Sequence, residues 1–269
     1  MVKKYALQIL IAIATVVCGT GFLFGGEPRS EGNMIKLVAF GDSTTAPRGS
    51  LQVYVDCLKR DLPKMGIEID AINAGVGGNS TEDGRVRFAK DVLDRQPDIV
   101  VIQFGINDAA VDVWKTTPAT EPRVTSNRYT SNLEYFVDKL QGRKCKVILM
   151  TPNPMRWNPT MKKAYGKPPY RPSDPDGFNV ILKNYADCMR GVAKRKEVAL
   201  VDVYAIFQAY GQNNNKGQTI DDLLLDGMHP NDKGHRLEAD LLIKEISRNK
   251  VTATAHQGQG DALPASTTP

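Results

Sequence analysis

The segment KLVAFGDSTTAPRG, Lys36 to Gly49, ends an apolar run on an acid and three hydroxyls. Ser43 within it is either a turn or capping residue, a place that suits serine, or a nucleophile. Two other positions bear on the choice. The chain has three histidines, His229, His235 and His256. His256 falls in the C-terminal tail, and His235 falls inside the expected last helix, where a solvated position is expected. His229 sits in a loop, DGMHP, with Asp226 three residues before it. In a helical turn such a pair shares a face. The carboxylate can then accept from the imidazole Nδ1 and leave Nε2 as a general base. Asp-Gly is also a strong turn signal, so Asp226 could serve the turn instead.

Two more segments offer hydrogen-bond donors: NAGVGGNST, Asn73 to Thr81, and GIND, Gly105 to Asp108. Gly78 exposes a backbone N–H and lets a substrate come close. Asn107 brings an amide NH₂ without a charge. The Ser43 backbone N–H is a third donor. A tetrahedral intermediate needs fixed donors at its oxygen, each worth about 3–4 kcal/mol of barrier. A flexible strand-to-helix turn and an Asx turn are the plainer readings of these two segments. Gathered at one place, the five residues are a set of parts for acyl transfer.

The elements that would gather them are legible as apolar runs. Met34–Phe40, Ile67–Asn73, Asp98–Phe104, Lys146–Thr151 and Val198–Val203 read as strands, most of them dense in Val and Ile as in a sheet covered on both faces. Helical periods lie between them: Leu51, Val55, Leu58 and Leu62; then Val86, Ala89 and Leu93; then residues 131–140, 178–195 and 232–246. Alternating strand and helix predicts an α/β fold with a parallel sheet. In such sheets function collects in the loops leaving the strands' C-terminal ends, which is where Ser43, Gly78 and Asn107 fall.

These four blocks, in this order, resemble the SGNH hydrolases, also called the GDSL esterase/lipase family. GDST carries Ser43 at the place of the family's nucleophile, NAGVGGNST places the oxyanion glycine on Gly78, GIND places the oxyanion asparagine on Asn107, and DGMHP carries Asp226 and His229. The resemblance runs from Leu37 to about Ile246. It implies a flavodoxin-like three-layer sandwich with a five-stranded parallel sheet. It also implies a two-step hydrolysis of a carboxylic ester through an acyl-enzyme on Ser43, with no metal or cofactor required. Thr44 replaces the leucine of GDSL, a form that looks like that of the carbohydrate acetylesterases. Ile106 stands where many members have Gly or His.

Residues 1–26 begin with Lys3 and Lys4 before an apolar stretch, the layout of an export signal or an uncleaved N-terminal membrane anchor. Cys18 follows Val17, which is not small and counts against lipidation. The hydrolase domain is expected over 33–250, and 251–269 as a disordered tail. A net charge of +5 without a basic run interleaved with aromatics gives no support for nucleic-acid binding. Cys57, Cys145 and Cys188 form no C-x-x-C pair and read as small buried side chains.

Two long loops, about 109–125 and 153–175, should border the site. They hold both tryptophans, Trp114 and Trp157, with Tyr165 and Tyr170. These rings could face a sugar or could pin the loops to the body. Neither loop is strongly apolar, so a short acyl group on an extracellular glycan fits better than a long-chain lipid. Lys162, Lys163, Lys167 and Arg171 form either a surface for an acidic polymer or a solvated face. The rival readings are a lipid-directed acylhydrolase of the lysophospholipase or thioesterase kind, a flavin-binding module, a metal-dependent phosphoesterase and a non-catalytic carbohydrate-binding protein.

Overall fold

The computed structural model describes residues 34–212 and 217–257. The expected leader at 1–26, with Cys18, and residues 258–269 of the expected tail lie outside the described residues. Five strands form one parallel sheet: β1 (Ile35–Gly41), β2 (Ile69–Gly75), β3 (Ile99–Gln103), β4 (Lys146–Met150) and β5 (Ala199–Val201). Their order is β2-β1-β3-β4-β5. All neighbouring pairs are parallel, with Leu37 opposite Ile99 and Val38 opposite Ile72. This is the doubly wound order in which the chain turns back between β1 and β3, and a crevice opens there at the strands' C-terminal ends.

Among the described residues there are seven α-helices: α1 (Tyr54–Asp61), α2 (Thr81–Asp91), α3 (Ser126–Gln141), α4 (Pro159–Tyr165), α5 (Leu182–Arg195), α6 (Val203–Gly211) and α7 (Asp232–Gln257). The two-residue alternation of a strand sorts the core into two layers. Val38 and Phe40 of β1 face Phe88 of α2, Phe136 of α3 and Met189 of α5. Leu37 and Ala39 face Leu58 of α1, Phe207 of α6 and Leu242 of α7. The β3 residues are buried throughout, so the middle of the sheet is a fixed floor under the crevice.

Three expectations need correction. The buried face of α2 is Thr81, Gly84 and Phe88, not Val86 and Ala89; Val86 is 88% exposed, whereas Leu93, in the turn after the helix, does pack against the core. The helix lies close on an aromatic cluster: a Cβ at Gly84 would come within 3.2–3.4 Å of Phe104, Phe136 and Phe40 ring atoms. His235 is buried, not solvated. Its Nδ1 lies 3.0 Å from Oε2 of Glu238, also buried, one turn on in α7. That helix packs against α1, and the two side chains partner each other there through Oε2, while Glu238 Oε1 is buried without a partner. Finally, α7 continues to Gln257, so residues 251–257 are helical where a disordered tail was expected. After Gly234 in its first turn, no glycine or proline interrupts the sequence before Gly258.

Cys57 and Cys145 are buried, Cys188 is partly so, and all three are free thiols. Among the described residues no helix is long and apolar enough to cross a membrane.

Candidate active site

The nucleophile turn begins where β1 stops. The carbonyl of Asp42 accepts from the N–H groups of Thr45 and Ala46, at 3.2 and 3.0 Å. The Asp42 carboxylate accepts from the Thr44 N–H and hydroxyl, both at 2.8 Å. A tight turn results, and Ser43 stands at its outer side. Asn73, at the end of β2, fixes the turn from next door. Its amide donates to the Thr45 carbonyl at 2.7 Å, and its Oδ1 accepts from Gly75 N–H at 2.9 Å.

Asp226 and His229 come from a reversal before α7, not from a helical turn. Leu224 and Pro230 bridge antiparallel, Leu225 N–H donates to the His229 carbonyl at 2.8 Å, and Gly227 turns the chain with φ +80°. Both readings of Asp226 hold at once. Its Oδ1 closes the turn by accepting from Met228 and His229 N–H at 3.0 and 2.9 Å. Its Oδ2 lies 2.8 Å from His229 Nδ1. The other imidazole nitrogen, Nε2, lies 2.9 Å from Ser43 Oγ. A carboxylate only accepts, so Nδ1 carries the proton and Nε2 offers its lone pair to the serine hydroxyl.

Burial lowers the His229 pKa below the usual histidine value; Asp226 raises it only in part. The ring is therefore neutral, and basic, at neutral pH. Burial acts on Asp226 to raise its pKa. Hydrogen bonds from the His229 backbone and ring outweigh this and hold the carboxyl below its ordinary value.

The loop 73–81 lies beside Ser43: a Cβ at Gly77 would sit 3.9 Å from the serine's Cβ. Gly78 has φ +79°, and a Cβ there would meet nothing within 4 Å. Asn107 joins this loop by donating from Nδ2 to the Asn79 carbonyl at 3.0 Å. The structure thus brings Ser43, Gly78, Asn107, Asp226 and His229 to one edge of the sheet.

Arg87 of α2 ties the strand ends behind them. It donates to the carbonyls of Gly41 and Ala74, at 2.8 and 2.7 Å, and to Asn79 Oδ1 at 2.7 Å. Two buried carboxyls lie underneath. Burial lifts Asp42 to about 6 and Asp108 to about 7.

Beside Asn107 a cavity of about 40 Å³ is lined by Ile106, Ala109, Arg123, Met155, Tyr170 and Met228, among others. Neither tryptophan lines it. Trp157 stacks on Phe178 at 4.5 Å and donates from its indole N–H to the Asp174 carbonyl at 3.0 Å. It pins its loop to the body. Trp114 is 51% exposed.

Sequence reasoning passed over Arg87, Asn73, Asn153, Asn158 and Arg123. Asn153 and Asn158 follow a strand end and were open to the strand-end rule. Arg87 lies on a helix beside Arg85, with nothing in the pattern to single it out. Among the described residues no group of three or more His, Cys, Asp or Glu side chains is placed to hold a metal ion.

A Ser–His–Asp relay at the C-terminal edge of a five-stranded parallel sheet, with a glycine and an asparagine beside it, is the arrangement of an SGNH hydrolase. The chain belongs to the GDSL-like Lipase/Acylhydrolase family, whose model matches residues 39–237. It is 36% identical over 220 residues to "Uncharacterized lipoprotein YqeF" of Bacillus subtilis (strain 168), covering 75% of this chain and 85% of that one. It is 25% identical over 233 residues to an acetylxylan esterase of Geobacillus stearothermophilus, covering 85% and 94%. Among solved structures, the lipase/acylhydrolase from Enterococcus faecalis superposes with a TM-score of 0.61 at 31% identity, over 80% of this chain and 97% of that one. The protein is a carboxylic ester hydrolase of the SGNH type.

Proposed function

We propose that the enzyme removes acetyl or similarly short acyl groups from an extracellular carbohydrate. The observation that carries this is the cavity of about 40 Å³ beside Asn107, with Met228, the neighbour of His229, in its wall. A space of that size suits a short acyl group better than a fatty chain. The similarity to an acetylxylan esterase supports the same reading. The lipoprotein relative and the export-like residues 1–26 support an exported or membrane-anchored enzyme.

In the first step Ser43 Oγ attacks the ester carbonyl and His229 Nε2 takes its proton. Asp226 holds the imidazole in the productive tautomer and balances its new charge. The N–H groups of Ser43, Gly78 and Asn107 receive the oxyanion. The imidazolium then protonates the departing sugar oxygen. In the second step water, deprotonated by the same nitrogen, attacks the acetyl-serine and releases acetate. Trp114, exposed in a loop that leaves β3, is the aromatic residue offered to the sugar; Trp157, packed on Phe178, would contribute an edge at most.

The test compares initial rates on p-nitrophenyl acetate, butyrate and octanoate for the parent and Ser43→Ala, followed by acetate release from acetylated xylooligosaccharides. The expected result is turnover that falls with chain length, is lost in the variant, and extends to the oligosaccharides. Turnover retained in Ser43→Ala refutes the nucleophile. A preference for octanoate refutes the short-acyl reading and favours a lipid-directed acylhydrolase.

A further inference from the structure

A carboxamide serves an oxyanion only when its NH₂ end faces it. Turned over, it presents a carbonyl oxygen that repels the charge. At Asn107 both ends of the amide are held. Nδ2 donates to the Asn79 carbonyl at 3.0 Å, and Oδ1 accepts from Arg123 Nη1 at 3.3 Å. A backbone carbonyl has no donor and a guanidinium has no acceptor. The flipped amide would set oxygen against oxygen and NH₂ against a cation. Only one orientation satisfies both neighbours, and it leaves the second N–H of Asn107 for a substrate oxygen.

We infer that Arg123 is a positioning residue for ester hydrolysis: it locks and polarises the Asn107 amide as an oxyanion donor, and Asp112 holds it in place to do so. The inference rests on Asn107 being an oxyanion donor.

Arg123 is built into this position. Its Nη2 lies 2.7 Å from Asp112 Oδ1, and its Nε lies 3.0 and 3.2 Å from the two carboxylate oxygens. Asp112 is only 5% exposed, and Lys115 Nζ approaches its other side at 2.8 Å. The main chain returns to the β3 end through Arg123 N–H to the Ala110 carbonyl, at 2.9 Å, and Val124 N–H to the Asp108 carbonyl, at 3.1 Å. The guanidinium fork therefore has two of its nitrogens on Asp112 and the third on Asn107.

Asp112 offsets part of the charge, shared as it is with Lys115, and all three guanidinium nitrogens are already turned to Asp112 and Asn107, so the fork is poorly presented to an anionic substrate. What reaches the site is a directed N–H. A cationic donor on the carbonyl of an amide strengthens the N–H donors of that amide, more so away from water.

The test is a double-mutant cycle on p-nitrophenyl acetate with Asn107→Ala, Arg123→Gln and the pair, each checked for an unchanged melting temperature. Asn107→Ala should lower kcat about 10²–10³-fold. Arg123→Gln should lower kcat about tenfold through a misdirected donor, with KM within about twofold of the parent. In the Asn107→Ala background, Arg123→Gln should cost nothing further, because its effect has no other route. An equal loss in both backgrounds overturns the inference, since Arg123 would then act through the fold or its own field. An unchanged kcat in Arg123→Gln overturns it as well. If Asn107→Ala itself keeps full kcat, the oxyanion reading fails first and takes the inference with it. Should Arg123→Gln not fold, Arg123→Lys carries the same cycle, because it keeps the charge beside Asp112 and loses the fork.

Discussion

The two sides of the serine are built in opposite ways. On the side of the base, the turn carrying Asp226 and His229 is stitched down by the segment that follows β4. Three successive carbonyls accept from it: Asp226 from the Asn158 amide, Gly227 from Arg156 N–H at 2.7 Å, and Met228 from the Asn153 amide at 2.8 Å. On the side of the oxyanion, Gly78 faces open space. Each side has a glycine at nearly the same positive φ, +80° at Gly227 and +79° at Gly78. A Cβ at Gly227 would sit 2.6 Å from the Arg156 carbonyl oxygen, whereas one at Gly78 would touch nothing within 4 Å. On the proposed mechanism, the turn that carries the base is packed tightly and the backbone beside Gly78, where a substrate oxygen would arrive, is left open. Rigidity on one side and access on the other are both forms of preorganisation.

The largest effect expected from this contrast is at Asp226. Asp226→Asn keeps an oxygen that can accept from Met228 and His229, so the turn should survive. It removes the charge that stabilises the imidazolium and can set an NH₂ against Nδ1, which selects the wrong tautomer. A loss in kcat of about 10⁴-fold is expected, smaller than that of Ser43→Ala, with an unchanged melting temperature. Asp226 raises the His229 pKa, so the acid limb of kcat/KM should move to lower pH in the variant. A limb that stays in place would show that Asp226 holds the turn and does not sense the ring's charge.

The paired glycines come next. Gly227→Ala and Gly78→Ala share a backbone cost of about 1–3 kcal/mol for a non-glycine residue at positive φ. Only the first adds a collision with backbone. Gly227→Ala should lower the melting temperature markedly and reduce activity through loss of folded protein. Gly78→Ala should lower kcat about 10–100-fold through a redirected N–H, with a smaller thermal shift. Thermal melts beside kcat for both variants check this, and equal thermal losses would erase the contrast between the two sides.

A smaller effect is expected for Asn158→Ala, which removes both the bond to the Asp226 carbonyl and the N-cap of α4, where Asn158 Oδ1 accepts from Met161 N–H at 2.8 Å. Each such bond is worth about 1 kcal/mol. A kcat reduced about fivefold is expected if half of that total reaches the base. An unaltered kcat would place the rigidity of the base turn in Gly227 and Asp226 alone.

How much of this was legible in the sequence follows from the range of each contact. Strands were legible because they are buried on both faces and read as continuous Val and Ile runs; the reading erred by only one or two residues at their ends. Ser43, Gly78, Asn107, Asp226 and His229 were legible because each sits in a short block at a strand end or just before a helix. The stitching was not. Asn158 and Asp226 are 68 residues apart, Asn153 and Met228 75, and Arg87 and Gly41 46. Nothing in a local pattern marks which loop asparagine meets which carbonyl. The face of α2 was misjudged because apolar spacing pointed to Val86, while the aromatic floor selected the residue without a side chain, Gly84. His235 was misjudged because Glu238, its partner, reads as one more surface charge on a helix.

The smallest predicted effect lies beneath both sides, in the carboxyls whose pKa burial raises. Asp108 titrates at about 7 in the folded protein and at about 4 in an unfolded chain. Between those values the folded state holds the extra proton, so this group makes stability fall as pH rises through the window. Its contribution is unperturbed below the unfolded value, and above about 7 the full cost of the buried charge is present. Asp42, lifted to about 6, acts in the same direction over a narrower range. Asp108→Asn keeps an oxygen for the Thr81 N–H and hydroxyl and removes the titration. The unpartnered Oδ2 of Asp108 is where its new amide would fall, a cost that does not vary with pH. Melting temperatures measured from pH 4.5 to 7.5 should therefore fall less steeply for Asp108→Asn than for the parent. Parallel curves would mean that Asp108 is ionised in the fold across this range, and that the floor of the site is charged where burial argues it is neutral.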